Sequence, residues 1–332
     1  MIPLSVLDLA PVNEGATATD ALRNSLSLAQ HAEALGYRRF WLAEHHNMPG
    51  IASAATAVVI AHVAAGTRTI RVGSGGVMLP NHAPLVIAEQ FGTLAALHPG
   101  RIDLGIGRAP GTDQRTMRAL RRDATRESLH PDAFPRDLLE LQRYFGDPQP
   151  SQDIHAVPGE GLRVPLWLLG SSLYSAELAG KLGLPFAFAS HFAPDLLLQA
   201  LALYREVFRP SEQLEAPHVM VATTLIAADT DEQAEYLASS LMQAFIRLRR
   251  GKPSKLPRPV DDVRAVLSAA EIAGMQRLLA RSTVGSRETV ARGLRALVAD
   301  TDADEVIVAT QVFDHDARLR SYEIVADIAG AG

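Results

Sequence analysis

Short runs of Val, Ile and Leu recur along this chain, and each is followed by a longer stretch in which apolar residues return every three or four positions. Continuous apolar runs suit strands covered on both faces, and the longer period suits helices, so the alternation describes βαβ units around a parallel sheet. The strand-like runs fall at 4–9, 39–43, 70–74, 101–105, 165–169, 186–189, 218–227 and 305–310. Helical patterns fall between and after them, at 20–35, 54–65, 85–97, 116–144, 175–182, 195–208, 231–249 and 287–299, with a last one at 317–328. Eight strands, each followed by a helix, is the count that closes an α/β barrel of the (β/α)8 or TIM type. The 332 residues fit one such barrel, and 1–332 reads as a single domain. Gly36, Gly66, Gly100 and Gly183 follow helical segments where a left-handed C-cap is expected.

Two stretches interrupt the pattern. Residues 145–163 are rich in Pro and Gly and predict an irregular insertion before strand five, while 251–259 (GKPSKLPRP) leads into an extra helix before Ser282, after strand seven. The second lies on the face where barrels carry their chemistry, and it reads equally as a mobile lid or a passive insertion.

Composition narrows the function. Hydrophobic residues at 47% and charged residues at 21% describe a packed globular chain. With a net charge of −5 and no long basic run, nucleic acid is not an expected partner; the cluster at 115–126, with Arg118, Arg121 and Arg122, reads as a solvated helix face, as do Arg247, Arg249 and Arg250. The chain has no cysteine, which excludes disulfides, thiolate metal sites and a cysteine nucleophile, and fits a reducing compartment. It begins without a leader-like pattern and has no apolar run long enough for a membrane span, so the cytoplasm is expected.

The candidate chemistry lies where strands end. Glu44-His45-His46 follows the second strand, at the rim where barrel enzymes collect catalytic groups. Neighbours on an extended chain point to opposite sides, so at most one of His45 and His46 faces the axis, and neither H-x-H nor H-E-x-x-H is present; this argues against a metal. A hydrogen-bonded structural pair is the plainer alternative. The third strand ends in Gly73, Gly75 and Gly76, which either let backbone approach a flat ligand or make a tight turn, and Pro80, Asn81, His82 and Pro84 follow as a stiff connection. The fourth strand ends in Gly105, Gly107 and Arg108, with glycine spacing unlike a dinucleotide fold, and Arg108 offers a fork of donors to phosphate or carboxylate. After the fifth strand, Gly170-Ser171-Ser172 runs into a helix: an anion pocket when taken with Arg108, or simple serine capping. Weaker features are Ser190-His191-Phe192, Thr310-Gln311 and Asp314-His315.

In that order, E-H-H, G-S-G-G-V-M-L-P, P-G-R-I-D-L-G-I-G-R-A-P-G and L-L-G-S-S-x-Y-S-A, with V-G-S-R-E-T-V at 284–290 and D-E-V-I-V-A-T at 304–310, resemble the bacterial-luciferase-like flavin-dependent monooxygenases, in their uncharacterised single-chain branch. The resemblance covers nearly the whole chain. It implies a barrel that binds FMN at the strand ends, generally as a homodimer. The family's first E-H-H histidine, which handles the oxygen adduct of the flavin, falls on His45, with His46 in support. Its cis peptide against the flavin ring falls on Gly75-Gly76, its phosphate-binding arginine on Arg108, and its serine loop on Ser171 and Ser172, with Tyr174 nearby. Light-emitting members carry a reactive cysteine that this chain lacks, so luminescence is not implied.

The expected function is therefore oxygenation of a small organic substrate with reduced FMN and O2, the flavin coming from a separate reductase. Rival readings are hydride transfer with the deazaflavin F420, a non-catalytic flavin-binding protein and, more remotely, a metal-dependent barrel hydrolase. Substrate identity depends on loops around 251–282 that the sequence leaves open.

Overall fold

The strand-like runs become parallel strands β1 (Leu4–Asp8), β2 (Arg39–Leu42), β3 (Arg71–Met78), β4 (Ile102–Gly107), β5 (Leu166–Gly170), β6 (Phe186–Phe188), β7 (Val219–Ala227), β8 (Thr283–Gly285) and β9 (Glu305–Ala309). The structure is a computed structural model that describes residues 2–109, 111–120, 133–150 and 152–330. The helices are α1 (Ala18–Ala34), α2 (Thr56–Ala65), α3 (Pro84–Leu97), α4 (Gln114–Leu120), α5 (Ala133–Phe145), α6 (Leu173–Lys181), α7 (Leu197–Val207), α8 (Asp231–Arg249), α9 (Ala269–Leu278), α10 (Arg287–Thr301) and α11 (His315–Gly330). Strands β1 to β7 pair in order, β7 pairs β9, and β9 returns to β1, which closes an eight-stranded barrel. The expected fold is the observed one.

The strand β8 has no counterpart among the expected runs. It pairs with the upper end of β7, Leu225–Ala227, and is not one of the ring strands; three residues are too few to show a period. Over 116–144 the described residues form two helices, α4 and α5, where one was expected. Residues 121–132, with Arg121 and Arg122 of the basic cluster, lie outside the described residues, while Arg118 on α4 is exposed as anticipated. Three of the four capping glycines are left-handed: Gly36, Gly100 and Gly183. Gly66 is not, since its φ is −91°, and its reason is space: a Cβ there would come within 2.4 Å of the Leu26 side chain.

Alternation along each strand divides the molecule into two cores. Val6, Phe40, Leu42, Val72, Leu104 and Val306 face outward into a shell shared with the helices. Leu7, Trp41, Ala43, Trp167, Met220, Ala222 and Ile307 face inward and fill the barrel. One step lower the inward positions turn ionic. Arg39 donates through Nε to Glu305 at 2.7 Å and through Nη1 to Asp103 at 2.8 Å, and Arg71 and the Trp41 indole N–H also donate to Asp103. The Arg39 guanidinium lies 4.7 Å above the Trp167 ring. Burial works to raise the Glu305 pKa, but His218, Arg39 and Ser5 outweigh it and hold the carboxyl below its ordinary value. The floor is thus closed by charges that satisfy one another.

Among the described residues no helix is long and apolar enough to cross a membrane.

Candidate functional site

A cavity of about 500 Å³ opens at the carboxyl ends of the strands, within the range of small-molecule sites. Leu7, Trp41 and Ile307 form its base, and β3, β4 and β5 bring Gly75, Gly76, Gly107, Arg108, Ser171 and Ser172 to its side. Its roof comes from three tied segments. Val12 donates to Gly50 O at 2.9 Å, Leu256 to Val12 O at 2.9 Å and Glu14 to Leu256 O at 2.8 Å, while Arg247 pairs with Glu14 at 2.6 Å. Leu256 of the second insertion is thus tied to the loop after β1 by two backbone hydrogen bonds, and Pro253, Ser254 and Leu256 reach the cavity wall. Leu241, Phe245 and Leu248 of α8 complete the upper wall.

The two rim histidines point apart. His45 lines the cavity, and its Nδ1 lies 3.4 Å from Gly111 O. A carbonyl can only accept, so Nδ1 carries the proton and Nε2 keeps its lone pair. Burial pushes the His45 pKa down, as does neighbouring His46, against the Gly111 contact and Glu44. A neutral imidazole with a free lone pair beside a cavity is equipped to act as a base near neutral pH.

His46 is not placed on the cavity wall. Its Nε2 lies 2.8 Å from Glu44 Oε1, and His82 Nε2 reaches the same oxygen at 2.8 Å from the loop after β3. Met78 N–H donates to the other oxygen at 3.3 Å. Burial works to raise the Glu44 pKa, but bonds and charge from His82 and His46 hold it low. Glu44 thus knots the end of β2 to the end of β3. Its ligand atoms and those of His46 and His82 lie within 4.8 Å of one another, a spacing that could also accept a metal ion. The spacing of His45 and His46 could not show this trio, because its third member comes from another loop.

Strand β3 runs on past the expected end at Ser74 to Met78, through a register shift between Ser74 and Val77, and the Gly75–Gly76 peptide within it is cis. Both positions require glycine: a Cβ on Gly75 would come within 2.7 Å of Leu7 Cδ1, and one on Gly76 within 2.7 Å of Gly105 O. The result is a bare backbone face on the cavity wall. Beside it Arg108, exposed, lays its guanidinium 4.4 Å over the Tyr174 ring and has no carboxylate partner among the described residues. Ser172 is the N-cap of α6, its hydroxyl accepting from Ser175 N at 3.4 Å, and Ser171 sits beside it at the positive end of the helix. Capping and anion binding are compatible here, since a cap engages only one of the free N–H groups. Tyr174 is not itself on the cavity wall; it supports Arg108.

The sequence underrated His191. It lines the cavity from the loop after β6, and burial pushes its pKa down to about 4, with His45 adding to the shift. Its signal, a histidine just past a strand end, was present but had nothing to pair with in one dimension. The α8 wall gave no signal, since a stripe of Leu and Phe at helical spacing is what any packed helix shows.

The family model described as luciferase-like monooxygenase matches residues 2–305. A luciferase-like monooxygenase of Escherichia coli K12 is 56% identical over 327 residues, covering 98% of this chain and 97% of that one. N-acetyl-S-alkylcysteine monooxygenase of Bacillus subtilis is 33% identical, with 98% of each chain covered. Among solved structures, apo-MsnO8 superposes with a TM-score of 0.88 at 36% identity, over 100% of this chain and 99% of that one. Two more distant barrels share the fold. They are the oxygenating constituent of a Pseudomonas putida diketocamphane monooxygenase in complex with FMN (TM-score 0.73, 19% identity, 98% and 96% covered) and a secondary alcohol dehydrogenase with an F420-acetone adduct (TM-score 0.70, 14% identity, 98% of each). This chain belongs to the luciferase-like monooxygenase family.

Proposed function

We propose that this protein is an FMN-dependent monooxygenase that oxygenates a small organic substrate. One observation carries the reading: a phosphate-ready set (Arg108, Ser171, Ser172), a bare backbone face (Gly75, Gly76) and an unprotonated imidazole (His45) border one cavity. Reduced FMN, when bound, supplies the electrons with which O2 is incorporated into the substrate. Arg108 and the free N–H groups of α6 hold its phosphate, and the Gly75–Gly76 face admits a planar ring at close approach. His45 Nε2 accepts a proton or a hydrogen bond beside that ring, with Gly111 O fixing the tautomer. The apolar base and tied roof keep water out. The described residues form the barrel without a dinucleotide-binding fold, so a separate reductase is the proposed source of reduced flavin.

Titration with FMN and with F420 distinguishes the flavin reading from its deazaflavin rival. The decisive test is anaerobic mixing with reduced FMN followed by oxygen, in wild type and His45→Ala. A long-lived oxygen-dependent absorbance transient that shortens in the variant is expected, and failure to bind FMN at micromolar levels sinks the proposal.

A homodimer is proposed on a separate observation. Val58 on α2 is 69% exposed, and Leu97 and Val86 on neighbouring α3 are 65% and 43% exposed, apolar side chains that a second copy could cover. Sedimentation should give a dimer that Leu97→Glu converts to monomer.

A further inference from the structure

The upper half of the cavity differs chemically from the half that suits a flavin. Met48, Ile51, Leu241, Phe245, Leu248 and Leu256 supply its walls, and among the described lining residues there is no Asp, Glu or Lys. Arg108 is the single permanent charge on the lining, and on the flavin reading, on which this inference rests, a phosphate engages it. An anionic substrate would enter an apolar chamber with no cation left for it, at a cost of several kcal/mol.

His191 is the titratable side chain that the loop after β6 brings to this cavity. Its ring stands edge-on to Phe192 at 4.7 Å, and its Nδ1 is sealed from solvent without a hydrogen-bond partner among the described residues. Nε2 is not sealed. A neutral imidazole carries one proton, and leaving a lone pair unpaired costs less than stranding an N–H. The proton therefore sits on Nε2, the nitrogen that can reach a ligand. His45 has the opposite tautomer, with Nδ1 protonated toward Gly111 O and Nε2 bare. Apart from Arg108 and the serine loop, the lining thus offers a donor from His191 and an acceptor from His45, together with the Gln311 amide and a Ser254 hydroxyl already bonded to Arg247 and Lys255 O.

We propose that the substrate is an uncharged, mainly hydrocarbon molecule with one oxygen acceptor, and that His191 is the residue that selects and orients it by donating Nε2–H to that oxygen. The interaction holds substrate in register with His45 without placing a charge in the chamber.

The test uses the intact protein at pH 8, where both imidazoles are neutral, and begins with FMN affinity measured alone, so that a failure of the flavin reading shows at that step. Calorimetry with saturating FMN then compares methyl butyl ketone, the alkene in which methylene replaces its carbonyl oxygen, and hexanoate. The ketone should bind about tenfold tighter than the alkene, the scale of one buried hydrogen bond, and hexanoate should bind more weakly than either. His191→Leu should bring the ketone-to-alkene ratio near one with FMN affinity unchanged, and His191→Gln, which keeps a donor, should restore most of it. Tighter binding of hexanoate overturns the substrate class. A ketone-to-alkene ratio that His191→Leu leaves intact, or a loss confined to FMN affinity, overturns the role of His191. The binding ratio compares two ligands in one protein, so a variant that merely loosens the fold does not mimic the expected result.

Discussion

The two ends of the barrel both hold charged and titratable groups, and they treat them in opposite ways. At the floor, Arg39, Arg71, Asp103 and Glu305 are saturated by one another and by Trp41 and Ser5. At the rim, among the described residues, His45 has one long contact, His191 has a sealed nitrogen with no partner, and Arg108 rests on a ring without a carboxylate. Saturated groups hold a fold in one arrangement; groups left under-satisfied are available to a ligand. The Glu44 knot with His46 and His82 marks the boundary, a floor-like saturated cluster placed at rim height.

The comparison can be broken at its floor first. Arg39→Met takes the shared guanidinium from two buried carboxylates, leaving Asp103 with Arg71 and Trp41 and Glu305 with Ser5, and should destabilise the protein by about 3 kcal/mol in urea unfolding, with FMN affinity of the folded fraction unchanged. If flavin binding falls in parallel, the two ends are not separable. Acid should expose the rim next. The unfolded chain takes up a proton on histidine near pH 6.5, whereas folded His191 does so only near 4. Across that window the unfolded state binds more protons, so stability falls as pH drops from 6.5 and levels off below about 4, by at most about 3 kcal/mol from this residue. Stability-against-pH curves should flatten across that window in His191→Leu.

The rim should also separate chemistry from stability. In His45→Ala, oxygen-dependent turnover should drop at least about a hundredfold, the usual scale for a lost general base, with a melting temperature close to wild type. A comparable activity in the variant would remove His45 from the chemistry. The smallest effect is expected at Arg108→Ala: about tenfold weaker FMN binding by fluorescence titration, as one charge-assisted hydrogen bond to an anion is lost while Ser171, Ser172 and the α6 N–H groups remain. Riboflavin, lacking the phosphate, should bind both forms alike.

Much of this was legible in one dimension because it rests on period and on residue type. Strand and helix alternation fixed the barrel, since eight continuous apolar runs, each followed by a helical pattern, leave few topologies besides a closed ring. Gly75, Gly76, Arg108, Ser171 and Ser172 stood out because glycine, a forked cation and serine before a helix, each ordinary alone, fall together at the ends of adjacent strands. The path of β3 through its glycines was not legible, because glycine ordinarily ends a strand, and only the structure shows that a Cβ on Gly76 would come within 2.7 Å of Gly105 O in β4.

What the sequence by itself determined, then, is the ring of strands and the chemical types available at their ends. The tertiary structure alone decided how those types are partnered. Glu44 meets His82 across 38 positions and so withdraws His46 from the cavity, while His191, more than 140 residues from His45, joins it there. The reason is physical: a side chain's protonation and reach follow from what surrounds it, and in a barrel the surroundings of a strand end come from neighbouring strands and their loops, not from neighbouring residues in the chain.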